Sequence, residues 1–216
     1  MSTRAVIFDM DGLLIDSERV ILECWRSVAA EHAPGVEDAL WFSMVGMHDA
    51  ACTAMLIQLL GPEQAGRLSI DCKDRYDVLV EQGLPLKDGA IELLQDLSAR
   101  GVPLAVATST RRERALLKLA RCGIDHYFAA LATSSDVAHP KPAADIYLLA
   151  ASGLSVLPEN CMAIEDSEMG VRAAVAAGMS VIQVPDLVPA SELTRSLAQV
   201  VTSLHETRAL LQSHLS

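Results

Sequence analysis

Short apolar runs of strand length alternate with stretches of helical periodicity along most of the chain. The runs are Ala5-Val6-Ile7-Phe8, Val102 to Ala107, Cys161-Met162-Ala163-Ile164 and Ser180-Val181-Ile182-Gln183-Val184, with a weaker one at Phe128 to Ala132. Few polar residues interrupt them, which suits strands buried on both faces of a parallel sheet. Between them Ala90, Leu93, Leu94 and Leu97, and later Ile146, Leu149, Ala150 and Leu154, recur at helical spacing, with Gly101 and Gly178 at expected helix ends. This alternation predicts an α/β fold with a Rossmann-like open parallel sheet as its core.

One stretch breaks the pattern. From about Ser17 to Lys87 no strand pattern occurs, while Val20, Ile21, Cys24, Trp25, Val28 and Ala29 form an apolar stripe at helical spacing. Further helices are expected around Asp49 to Leu60 and Pro62 to Leu79, with breaks at Pro34-Gly35 and Gly61-Pro62. The reading is a discontinuous core, residues 1–16 and 87–216, carrying an inserted α-helical domain over residues 17–86. Trp25, Trp41 and Phe42 are read as packing residues of that insertion rather than a binding box.

Composition narrows the partners. With 17 Lys and Arg against 28 Asp and Glu among 216 residues, the formal charge is -11, and no basic cluster stands out. Nucleic acid is therefore not an expected partner. An acidic protein that handles an anionic substrate has to gather positive charge locally, from a metal, a lysine or helix N-termini. The N-terminal apolar run is broken at Asp9 and too short for a signal peptide, and no apolar stretch approaches the roughly 20 residues of a membrane span. Five scattered cysteines without a Cys-x-x-Cys pair suggest neither a disulfide framework nor zinc, so a cytoplasmic location without membrane contact is expected.

In open α/β sheets reactive groups collect at the carboxyl ends of strands. The first run ends in Asp9-Met10-Asp11-Gly12, two carboxylates that can share one site as nucleophile or metal ligand and as acid or base; alone, the same four residues serve equally as a solvated turn. The second ends in Thr108-Ser109-Thr110 ahead of a helix, hydroxyls that suit a phosphoryl oxygen or a simple N-cap. His139-Pro140-Lys141-Pro142 fixes a lysine between two prolines, where it binds phosphate as a point charge or stands as an ordinary turn residue. The fourth ends in Glu165-Asp166-Ser167, adjacent carboxylates that repel each other unless a cation, with magnesium the natural choice for oxygen ligands, neutralises them.

Taken together and in this order, the four motifs resemble the haloacid dehalogenase-like hydrolase superfamily, over nearly the whole chain. The resemblance implies Asp9 as nucleophile, Asp11 as acid and base, Thr108, Ser109 and Lys141 as phosphate-binding groups, and Asp9, Asp11 (through its backbone carbonyl), Glu165 and Asp166 around Mg2+. It further implies that the insertion is the helical cap of the subgroup that contains β-phosphoglucomutase and phosphoglycolate phosphatase. Val45-Gly46-Met47, Ala107-Thr108-Ser109 and Val184-Pro185-Asp186 are similar to pseudouridine-5′-phosphatase-like members. His139 and Ala144 stand where relatives often have Gly and Pro.

The expected activity is magnesium-dependent hydrolysis of a small phosphorylated metabolite, a sugar phosphate or a nucleotide-like monophosphate, through an aspartyl phosphate at Asp9. Gly46, His48 and Asp49 are the candidate specificity residues of the cap, and a monomer or weak dimer is expected. The alternative is a β-phosphoglucomutase-type phosphomutase, although that enzyme's cap-helix histidine has no counterpart in Glu18-Arg19-Val20-Ile21. A non-catalytic binding protein on the same scaffold is the remaining alternative.

Overall fold

The computed structural model describes residues 3–44 and 49–214. The chain divides into two compact units, one formed by Met1–Asp16 with Pro85–Ser216 and the other by Ser17–Leu84.

The first unit opens with β1 (Ala5–Phe8), and the chain then enters the second unit, whose helices are α1 (Ser17–His32), α2 (Asp38–Ser43), α3 (Asp49–Leu60) and α4 (Pro62–Gln82). The first unit resumes with α5 (Ala90–Ala99), β2 (Leu104–Thr108), α6 (Arg112–Arg121), β3 (Ala130–Thr133), α7 (Asp145–Gly153), β4 (Cys161–Glu165) and α8 (Glu168–Ala176). It ends with β5 (Ser180–Gln183), α9 (Glu192–Leu197), β6 (Gln199–Val200) and α10 (Leu204–His214).

Among the described residues the strands form one parallel sheet in the order β3-β2-β1-β4-β5-β6. The α/β expectation therefore holds, and the apolar runs owe their continuity to burial on both faces. Every residue of β1, β2 and β4 is buried. Alternate residues Ala5, Ile7, Ala105, Ala107 and Ala163 pack with Ile146, Tyr147, Ala150, Val171 and Ala174 of α7 and α8. The small strand side chains leave room for the large ring of Tyr147, which is fully buried. Beyond the expected elements the structure adds α2, α9, α10 and the two-residue β6.

β1 lies at the centre, between β2 and β4, and the order reverses there: the chain steps to one side through β2 and β3 and to the other through β4 to β6. Such a reversal opens a crevice at the carboxyl ends of the strands flanking it. Phe8 pairs in register with Val106 and Ile164, so the residues just after β1 are level with the ends of β2 and β4. Gly12, at φ 82°, permits the turn that follows, and Leu13, Leu14 and Ile15 anchor that turn in the interior. The exit toward α1 and the return from α4 run side by side, with Asp16 N–H donating to the Pro85 carbonyl (2.9 Å) and Lys87 N–H to the Leu14 carbonyl (2.9 Å).

In the second unit α1 packs on α4: Leu22, Cys24, Val28 and Ala29 are buried on one helix, Ala65, Leu68 and Cys72 on the other, while Val20, Ile21 and Trp25 of the expected stripe are half-buried. Trp25 stacks on Trp41 with ring centroids 5.9 Å apart, and Arg26 lies over the exposed Phe42 ring. Trp41 is buried, whereas Phe42 is exposed. No helix among the described residues is long and apolar enough to cross a membrane.

Candidate active site

The crevice at the end of β1 gathers the polar residues of four strand ends. Asp9 directly follows β1, and its backbone N–H donates to the Ile164 carbonyl of β4 (3.0 Å), which fixes the carboxylate next to Glu165. Lys141, from the loop between β3 and α7, is buried beneath them. Its Nζ donates to Asp9 Oδ1 (2.5 Å), Glu165 Oε1 (2.6 Å) and the Ala107 carbonyl (3.0 Å). The lysine that the sequence sets between two prolines thus bridges two carboxylates.

Glu165 is fully buried, and a buried charge is tolerated only when neutralised and hydrogen-bonded. Beside Lys141, Oε1 accepts from the Tyr147 hydroxyl (2.7 Å). Oε2 accepts from the N–H groups of Asp166 (3.1 Å) and Ser167 (3.2 Å) and from the Ser167 hydroxyl (3.1 Å). Those five donors meet the capacity of a carboxylate, which has about four lone-pair sites. Burial, reinforced by Glu165, holds the Tyr147 phenol well above its usual range, so it stays a donor.

Burial also pushes the Asp9 carboxyl up to about 7; Lys141 opposes this, and the Glu165 and Asp11 carboxylates add to it. For Lys141 burial pulls the ammonium down, but Asp9 and Glu165 outweigh it and hold the group above its usual range. One lysine thus serves a centre that holds more than one negative charge. Asp9, Glu165 and Asp166 offer oxygen atoms that all lie within 4.8 Å of one another, an anionic all-oxygen set of the kind that hard divalent cations take.

Asp11 lies on the turn after Asp9. Thr110 Oγ1 donates to its Oδ2 (2.7 Å), and Lys118 Nζ, from α6, donates to its Oδ1 (2.5 Å). Thr108 closes β2 fully buried, its Oγ1 accepting from the Thr110 N–H (3.1 Å), while Ser109 is exposed beside it. Arg112 fixes this corner by pairing with Asp136 through two nitrogens and donating to the Leu131 carbonyl of β3.

The structure thus brings Asp9, Asp11, Thr108, Lys141, Glu165 and Asp166 to one end of one sheet. Gly46 and His48 lie outside the described residues, as does the side chain of Asp49, which opens α3. Three residues went unnoticed at the level of sequence: Lys118, Tyr147 and Gly170. A Cβ on Gly170, in the first turn of α8, would stand 1.7 Å from Glu165 Oε1, so the glycine makes room for the buried carboxylate. Gly170→Ala is accordingly expected to cost on the order of 1–3 kcal/mol of stability by overpacking. It should also lower turnover, because displacing Glu165 releases Lys141; thermal melting and activity measured together check this, and no change in either means that Glu165 has slack.

Known proteins resemble this chain in sequence and fold. The family model described as haloacid dehalogenase-like hydrolase matches residues 3–178. A phosphorylated carbohydrates phosphatase of Thermotoga maritima is 30% identical over 214 residues, covering 97% of this chain and 90% of the relative. A fructose-1-phosphate phosphatase of Escherichia coli is 30% identical over 183 residues, 83% of this chain and 95% of its own. Among solved structures, a hydrolase of the same family from Deinococcus radiodurans R1, crystallised with phosphate and sodium, is 32% identical with a TM-score of 0.85, covering 99% of this chain and 96% of that one.

Proposed function

The chain belongs to the haloacid dehalogenase-like hydrolases and is a phosphoric monoester hydrolase, and from this premise we propose that it releases phosphate from a small sugar phosphate, with magnesium, through a phospho-aspartate at Asp9. The observation that supports this most is the single centre in which Lys141 bridges Asp9 and Glu165 while Asp166 completes a trio of carboxylates. The names of the two relatives as phosphatases of phosphorylated sugars support that substrate class. Substrate selection is assigned to the helical unit, as the Gly46-Met47-His48-Asp49 segment suggests.

The donor set fits magnesium. Asp9, Asp166 and the Asp11 backbone carbonyl would hold it, and Glu165, whose oxygens already accept five hydrogen bonds, would contribute charge. When bound, the ion offsets the repulsion between an attacking carboxylate and a dianionic phosphoryl group.

Asp9 attacks phosphorus in line with the ester oxygen, forming one P–O bond as the other breaks. Lys141 orients the Asp9 carboxylate and, with Thr108 and Ser109, holds the phosphoryl oxygens. Asp11 gives its proton to the departing alkoxide, and then as a carboxylate takes a proton from the water that cleaves the phospho-aspartate. The test is phosphate release from a panel of sugar phosphates and nucleoside monophosphates with and without magnesium. Magnesium-dependent release from a sugar phosphate well above the rest is expected. Conversion of β-glucose 1-phosphate to the 6-phosphate without release would replace the proposal with a phosphomutase, and no turnover of any compound would remove it.

A further inference from the structure

We propose that Lys118 is a positioning residue that, with Thr110, fixes the orientation from which Asp11 exchanges its proton; this rests on the acid and base role given to Asp11 above. Lys118 belongs to the inward stripe of α6, with Ala115 and Leu119, and is only 5% exposed. A lysine on the buried face of a helix is costly. Replacing both members of a buried ion pair by apolar side chains is often neutral or stabilising, whereas removing one member leaves the other charge unpaired. The pair is therefore a poor stability device.

What it does accomplish is geometric. The Lys118 ammonium takes Oδ1 of Asp11 (2.5 Å) and the Thr110 hydroxyl takes Oδ2 (2.7 Å). A carboxylate held at both oxygens from two directions loses its freedom to turn about both side-chain bonds. The two grips sit close together in the chain, since Thr110 lies in the turn that joins β2 to α6 and Lys118 in α6 itself, which Arg112 ties to β3. Asp11 keeps 19% of its side chain open, so the held group stays accessible. Proton transfer depends steeply on such aim, because donor and acceptor have to come within hydrogen-bond reach.

Two probes of nearly equal size separate this from a structural role. Phenyl phosphate has a poor leaving group that needs the proton, whereas the nitrophenolate of p-nitrophenyl phosphate departs without one. In Lys118→Met, kcat/KM, which reports the first phosphoryl transfer, should fall roughly tenfold or more on phenyl phosphate and less than about threefold on p-nitrophenyl phosphate. Thr110→Val, which removes the other grip and leaves the charge pair in place, should show the same split at smaller size, and Lys118→Arg should restore part of the loss. Equal losses on both probes, or no loss on either, would overturn the proposal. If the unaltered protein with magnesium cleaves neither probe nor any compound of the panel, the phosphatase reading fails first and takes this inference with it.

Discussion

Asp9→Asn should lower phosphate release by about 10⁴-fold or more, the scale seen when a nucleophile is deleted, while the protein stays folded. The amide has the same shape but attacks phosphorus poorly. Stability should hold for a reason specific to this site. Burial already pushes the Asp9 carboxyl up to about 7 despite Lys141, so a neutral group there removes a desolvation cost and a repulsion. Lys141 keeps Glu165 Oε1 and the Ala107 carbonyl as acceptors. Circular dichroism melting beside a phosphate assay checks both halves, and retained turnover would remove Asp9 from the nucleophile's role.

Lys141→Ala should have the opposite profile, hurting stability and activity together. Without the ammonium, Asp9 and Glu165 face each other in a buried pocket, and stripping one partner from a buried ion pair costs about 3–5 kcal/mol. The loss should deepen as pH rises. A carboxyl whose folded-state value lies above its ordinary one favours folding while protonated, and that contribution disappears once pH passes the raised value. For Asp9 the window runs from its ordinary 3.8 to about 7, and removing Lys141, which pulls the value down, widens it upward. Denaturant titrations at pH 5 and pH 8 should therefore show the larger deficit at pH 8; equal stability to the parent at both would mean that the two carboxylates do not depend on this lysine.

The contrast between the two variants shows what the sequence could and could not convey. A strand buried on both faces needs an unbroken apolar run, so Ala5 to Phe8 and Cys161 to Ile164 were legible, and the polar residues that end them stood out against that background. β6 was not legible, because Gln199–Val200 is two residues at a sheet edge and carries no run. The helices α9 and α10 lie in a C-terminal segment where no strand-length run alternates with them beyond Val184.

At the site, residues announced by local chemistry were found and residues whose role is purely tertiary were not. Lys118 reads in sequence as a basic residue in the last turn of a helix, a favourable interaction with the helix dipole, and its only local clue is its place three residues after Ala115 on the buried stripe. Tyr147 reads as one more large residue of an apolar helix, and Gly170 as a weak helix former. Their purpose becomes visible only once Glu165 is seen between them, accepting from one and filling the space that a Cβ on the other would take.

The most direct test of the account is capture of the phosphoryl group itself. The protein, with magnesium and the best substrate of the panel, is quenched in acid during turnover and digested, and the peptide that carries Asp9 is weighed by mass spectrometry. The account predicts that this peptide gains one phosphoryl group, that with p-nitrophenyl phosphate, whose leaving group needs no proton, the adduct accumulates in Asp11→Asn, where no base activates the water, and that it is absent from Asp9→Asn. Phosphate released at the full rate with the Asp9 peptide never modified, in either the parent or Asp11→Asn, would contradict it.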